Sequence, residues 1–311
     1  MMKKKVETAA CVLENAYLRI VILPDIGGKI VSFYNKKKDF ELAAQMDYRE
    51  KMSYEEDPED FADYAFGMDD AFPNIDEEKI LWKGKELFYP GHGRVWNSRF
   101  KVIKTEYEEE NQRLSIEMME GDDSDCGYHY RYVKNFSLSG TTLKMDYRIL
   151  NTGDDEFPCI WTYHGLVRYD ENMELRYPDG TDRFLNTFSG DLLGKEGEKY
   201  SIDSGRYDFL HVPKRQSMSM AKYYVDGKVK EGKCGIHYPL QDVDYTLSFD
   251  KEKLPYLGVW ITAGGLDGAF NCAFEPADGF YDSISKATNN KALEVLGPGE
   301  AKEFSLEIEL S

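Results

Sequence analysis

The chain has 311 residues, 41% of them hydrophobic and 14% aromatic, and carries a formal net charge of −18 at pH 7. A surface this acidic repels phosphate backbones, which argues against nucleic acid as a partner and against a polyanionic substrate, and leaves neutral small molecules open. No stretch approaches the ~20 consecutive apolar residues of a membrane helix, so no membrane association is expected.

Five cysteines, Cys11, Cys126, Cys159, Cys234 and Cys272, lie far apart and form no C-x-x-C pair. That pattern reads as reduced thiols of a cytoplasmic protein. The opening M-M-K-K-K-V-E-T-A-A has a basic start but no apolar stretch of signal-peptide length behind it.

Period-two alternation dominates the chain. Ala16 to Leu23 (A-Y-L-R-I-V-I-L) predicts a strand, P-D-I-G-G a turn, and K-I-V-S-F-Y, from Lys29 to Tyr34, a second strand. Arg99 to Lys104 and Leu114 to Met119 continue the pattern. Tyr128 to Leu138 and Thr142 to Leu150 predict two strands joined by S-G-T. Leu247 to Phe249, Leu257 to Thr262 and Phe270 to Phe274 follow, and Glu303 to Leu310 closes with strict alternation. Helical signals are rare; Asp282 to Thr288 predicts a turn or two. Many short strands, Gly/Asp/Asn turns and abundant aromatics predict an all-β antiparallel sandwich. No linker, repeat or low-complexity tract divides the chain, so residues 1–311 read as one domain, although the length alone would allow about two. The acidic stretch Tyr54 to Asp70 reads as a solvated loop that leads into G-M-D-D-A-F-P-N-I.

Phosphate-loop, Walker, H-E-x-x-H and G-x-S-x-G patterns are absent, and the five histidines are isolated singles without metal-ligand spacing. Three places carry chemistry. In P-G-H-G-R-V-W-N, His92 lies between two glycines, and Arg94 and Trp96 share a face if the segment is extended. A ring histidine, a cation and an indole suit a polyhydroxylated ring, whereas the bland alternative is a surface loop. In W-T-Y-H-G-L, His164 on its own reads as a core histidine. In N-C-A-F-E-P-A-D-G, Glu275 ends an apolar run and Pro276 is expected to stop the strand. Partial desolvation there raises a carboxylate pKa and suits a general base; a glutamate facing water is the alternative.

Taken in order, these segments resemble the aldose 1-epimerase (galactose mutarotase-like) superfamily over nearly the whole length. The resemblance runs from L-E-N-A-Y-L-R-I-V-I-L-P-D-I-G-G-K-I-V-S-F through G-M-D-D-A-F-P-N-I, P-G-H-G-R-V-W and W-T-Y-H-G-L to C-A-F-E-P-A-D-G-F-Y-D-S and L-G-P-G-E-A-K-E-F-S-L-E-I. It implies a large antiparallel supersandwich and a mutarotase that interconverts the anomers of a free aldose. Glu275 would be the base, His164 the proton donor to the ring oxygen, and His92 the second histidine at the ring. Asp70, Arg94 and Trp96 would contact sugar. No cofactor and no metal would be needed; the partner would be a small sugar, and the chain a monomer or homodimer.

Two departures bear on the substrate. The first histidine lies in P-G-H-G-R rather than the N-x-x-x-H-G-G of well-characterised galactose mutarotases, and G-M-D-D stands where they have an upstream arginine. Three other readings stay open: a hexose-phosphate mutarotase using Arg94, Arg131 and Lys134, a non-catalytic carbohydrate-binding protein, and a sandwich domain acting on polysaccharide.

Overall fold

The computed structural model describes residues 5–6, 9–45, 54–55, 64–108, 111–119 and 126–311. Two large sheets dominate, and all of their strand pairs are antiparallel. The first has eight strands in the order Phe100–Tyr107, Asn111–Met118, Tyr130–Ser139, Thr142–Asn151, Ala301–Leu310, Val243–Phe249, Lys233–Tyr238, Glu174–Arg176. The second has twelve, with Ser219–Val225, Tyr256–Ala263, Phe270–Ala277, Thr162–Gly165, Met68–Ala71 and Lys29–Asn35 as consecutive neighbours through its middle.

Alternation explains how the sheets pack. Along Ala301–Leu310 every second residue is buried (Lys302, Phe304, Leu306, Ile308, Leu310) and the others meet solvent. Such half-wet strands suit an antiparallel sheet with one covered face. Phe304 stacks on Tyr147 (centroids 5.1 Å) and meets Trp161 (4.5 Å), which leads into the second sheet. One continuous apolar core fills the space between the sheets. Aromatic pairs of this kind add about 0.5–1.5 kcal/mol beyond their buried area.

The predicted strands form with small shifts at their ends. Leu18–Leu23 starts two residues later than the alternation suggests, because Asn15 Oδ1 accepts from the Tyr17 and Leu18 amides (both 2.9 Å) and holds a turn there. The single α-helix of the described residues, Ile284–Asn289, is capped by Ser283, whose side chain accepts from the Lys286 amide (3.2 Å).

Two expectations are corrected. Pro276 does not stop its strand, which runs from Phe270 to Ala277. On the edge facing Thr162–Gly165 only Thr162↔Ala277 is in register, so a residue without an N–H is tolerated there. Nor is Pro90 to Asn97 extended. His92 (φ 59°) and Gly93 (φ 68°) are left-handed, and Val95–Asn97 forms one 3₁₀ turn. Part of the acidic stretch, residues 56–63, lies outside the described residues.

The described cysteines are all free thiols. No helix among the described residues is long and apolar enough to cross a membrane.

Candidate active site

Four adjacent strands of the larger sheet build the site. On Phe270–Ala277, Cys272 and Phe274 enter the inter-sheet core, so the two-residue period turns Asn271 and Glu275 to the opposite face. On Thr162–Gly165, Tyr163 enters the core and His164 turns outward. On Ser219–Val225, Ala221 and Tyr223 enter the core and Lys222 and Tyr224 turn outward. Gly258 and Trp260 take the same outward face on Tyr256–Ala263. His164, Lys222, Trp260, Asn271 and Glu275, with His92, Ile75 and Asp76, line one cavity of about 450 Å³.

Two groups face each other across it: His164 Nε2 lies 3.9 Å from Glu275 Oε1. That separation is too long for a direct hydrogen bond. Behind His164, Nδ1 lies 3.0 Å from Asp69 Oδ1. The strand register places Asp69 directly opposite His164. Burial alone would raise the Asp69 pKa, but the Lys29 charge (Nζ–Oδ2 2.5 Å) and the bond from His164 outweigh it and hold it at about 2. An ionised Asp69 accepts Nδ1–H, which leaves Nε2 facing Glu275 across the cavity. Lys29 is completed by the Tyr64 and Phe66 carbonyls (2.8 and 3.0 Å).

Glu275 is 1% exposed, and its Oε2 has no hydrogen-bond partner among the described residues. A bare buried carboxylate oxygen is costly, and such atoms mark places where a ligand completes the bonding. Burial raises the Glu275 pKa; the Lys222 charge and then His164 oppose the rise. Gly258, directly opposite in register, makes room: a Cβ there would lie 3.0 Å from Tyr224 Cζ and 3.2 Å from Glu275 Oε2. Lys222 Nζ is 3.0 Å from Asp282 Oδ1, which also accepts from Tyr224 OH at 3.0 Å. Burial would lower the Lys222 pKa, but Asp282 and then Glu275 outweigh it, so the ammonium stays charged.

His92 meets His164 edge to face, ring centroids 5.6 Å apart. Burial, then the His164 and Lys222 charges, push its pKa well below the ordinary value, so it stands neutral at pH 7. Its backbone is pinned by His92 N–H to Ile75 O (2.7 Å) and by Gly93, where a Cβ would sit 1.7 Å from Phe72 O.

The structure thus brings Glu275, His164 and His92 to one cavity but sends the three sugar-contact candidates elsewhere. Asp70 pairs in register with Tyr163, on the core face. It is buried between the sheets against Lys134 (2.5 Å), with Tyr132 and Tyr147 donating to it at 3.1 Å each. Its neighbour Asp69 takes the outward face. Trp96 packs in a small core cluster with Leu23, Ile26, Tyr64 and Phe66. Arg94 precedes the 3₁₀ turn, with its N–H on Phe72 O (3.1 Å), and is not in the cavity wall. The left-handed pair His92–Gly93 is what turns both residues away from the face an extended chain would have given them. Nor do the other two suggested phosphate ligands reach the cavity: Arg131 pairs with Glu117, and Lys134 with Asp70.

Sequence reasoning missed Asp69, Lys222, Trp260 and Asn271. Trp260 Nε1 donates to Asn271 Oδ1 (2.9 Å), which fixes the amide's orientation. A signal was present for Lys222: S-M-A-K-Y-Y-V holds one cation in an otherwise apolar strand.

No family model matches the sequence, and no curated protein is similar to it by sequence. Solved structures are similar in fold along the full chain. The Slr1438 protein from Synechocystis sp. PCC 6803 superposes with a TM-score of 0.77 at 17% identity, covering 100% of this chain and 98% of that one. A galactose mutarotase-like protein from Clostridium acetobutylicum gives 0.75 at 16%, covering 99% and 97%. A provisionally assigned aldose 1-epimerase from Escherichia coli K12 gives 0.70 at 16%, covering 98% and 99%. The chain therefore has the fold of the galactose mutarotase-like structures.

Proposed function

We propose that the protein is a mutarotase of aldose 1-epimerase type, acting on a sugar with a free anomeric hydroxyl. The observation that carries this is the facing pair His164 Nε2 and Glu275 Oε1, 3.9 Å apart in a cavity of about 450 Å³, with Asp69 behind the histidine. The two oxygens of a hemiacetal sit on one carbon, so an acid and a base this close can serve both at once.

Glu275 removes the proton from the anomeric hydroxyl as protonated His164 delivers one from Nε2 to the ring oxygen. The C1–ring oxygen bond breaks and the free aldehyde forms. Rotation about C1–C2 presents the other carbonyl face, and reclosure returns both protons. Burial raises the Glu275 pKa and so makes it a stronger base than an exposed carboxylate. Lys222 keeps the carboxylate charged form within reach and has a second use as a donor to sugar hydroxyls. His92, neutral, can donate or accept beside the ring. Trp260 offers an apolar face to the pyranose, and the unpaired Glu275 Oε2 gains a partner when the hydroxyl arrives.

Each positioned acid or base contributes roughly 10²- to 10⁴-fold. Polarimetry over a panel of freshly dissolved free aldoses tests the reading. Glu275→Gln is expected to lower the catalysed rate on the responding sugar by about 10² or more, with circular dichroism unchanged. A variant rate near wild type would reject the assignment.

A further inference from the structure

The cavity of the facing pair opens beside a second, larger one. This second cavity, of about 710 Å³, shares Ala65, Asp267, Ala269 and Asn271 with the first and contains neither His164 nor Glu275. Its wall carries two arginines, Arg168 and Arg215. In a chain of net charge −18 these guanidiniums have no carboxylate within ion-pair distance among the described residues. Aromatic rings hold them instead. Arg215 lies over Phe270 (4.3 Å) and Tyr169 (5.4 Å), with a bond to the Tyr169 carbonyl (3.2 Å); Arg168 lies over Phe40 (5.1 Å). Stacking fixes a guanidinium plane while leaving its edge N–H groups free for an anion. Of the two acids on the same wall, Glu41 is engaged by Ser32 Oγ and the Phe33 and Ala43 amides, and Asp267 sits on the shared hairpin loop.

The strand register gives the spacing. Arg168 is directly opposite Asn271, and Asn271 lies four residues along the same face from Glu275. At about 3.3 Å per residue that is roughly 13 Å from the base. Phe270, under Arg215, lies one residue farther. A charged group on the same ring as the anomeric carbon would not extend that far along the strand, whereas one on the next ring of a linked pair would. Asn271 stands at the junction, its Oδ1 taken by Trp260 and its amide N–H groups left to donate.

We propose that the second cavity is a subsite for an acidic sugar residue, so that the substrate is a reducing disaccharide or longer saccharide whose second residue bears a carboxylate. The reducing end lies between His164 and Glu275, the linkage passes Asn271, and the carboxylate meets Arg168 and Arg215. This rests on the mutarotase reading for the first cavity and adds a substrate class to it.

The test compares a free hexose, a neutral reducing disaccharide, a reducing disaccharide with a non-reducing hexuronate, and a hexose 6-phosphate. Mutarotation is followed by NMR and binding by calorimetry, with wild type and the Arg168→Ala/Arg215→Ala double variant. The proposal expects the hexuronate disaccharide to have the highest kcat/KM. It also expects the double variant to lose at least about ten-fold more on that substrate than on the free hexose, as fits a lost charge-assisted pair. Arginine-dependent binding of the hexuronate disaccharide with no catalysis of any sugar would support the subsite and reject the mutarotase reading. Equal kcat/KM for the acidic and neutral disaccharides, or an arginine-dependent preference for the hexose 6-phosphate, would overturn the subsite while leaving the mutarotase reading intact.

Discussion

In the proposed reaction Glu275 acts as a base only while ionised, and two opposing influences set that state. Burial favours the neutral acid, and the Lys222 ammonium favours the carboxylate. Replacing Lys222 by Met removes the opposing charge, so the Glu275 pKa rises further. The form that accepts a proton then appears only at higher pH, and the acidic limb of kcat/KM against pH moves upward. Activity measured well above that limb falls less than activity measured on it; a limb that stays in place would show that Lys222 does not act on Glu275. At this scale the sequence was legible where one residue type stood out against its strand. Glu275 in an apolar run and His164 in W-T-Y-H-G-L were visible as candidates. The choice between Asp69 and Asp70 was not, because adjacent residues on a strand take opposite faces and only the register with Thr162–Gly165 decides which faces the site.

Strands announce themselves through alternation, so two of the four strands that build the site were readable, Phe270–Ala277 and Tyr256–Ala263 lying within a few residues of the predicted spans, whereas Ser219–Val225, which carries Lys222, was not predicted. The segment Pro90 to Asn97 was not, since its path depends on two consecutive left-handed residues. Gly93 is the more demanding of the two, its missing Cβ 1.7 Å from the Phe72 carbonyl at φ 68°. Gly93→Ala is expected to cost at least about 1–3 kcal/mol in denaturant unfolding. It should also raise KM more than it lowers kcat, because it displaces His92 rather than the facing pair. Wild-type stability together with wild-type KM would contradict this account of the loop.

Between the sheets, Lys134–Asp70 is a buried ion pair tied to Tyr132, Tyr147 and, through Tyr132 OH, to Trp161 Nε1 (2.6 Å). Removing one partner of a buried pair strands the other, so Lys134→Met is expected to destabilise the whole molecule by about 3–5 kcal/mol near neutrality. Burial already raises the Asp70 pKa, with Lys134 opposing, and the variant raises it further. A folded-state carboxyl pKa above the unfolded value means that the folded state binds more protons, so stability falls as pH rises through it. The gap between variant and wild type should therefore be smaller at mildly acidic pH than at pH 7; a gap independent of pH would show that Asp70 is not the stranded group. Nothing in the sequence disclosed this pair, because its members lie 64 positions apart in separate sheets.

The central claim is that His164 and Glu275 act together on one hemiacetal. The most direct measurement is the NMR exchange rate between anomers of the responding sugar for wild type, His164→Ala, Glu275→Gln and the variant carrying both changes. Groups that work as a unit are non-additive, so the combined variant should be about as slow as the worse single one, each at least about 10² below wild type. Independent losses that multiply in the combined variant, or singles that keep near wild-type exchange, would contradict the account.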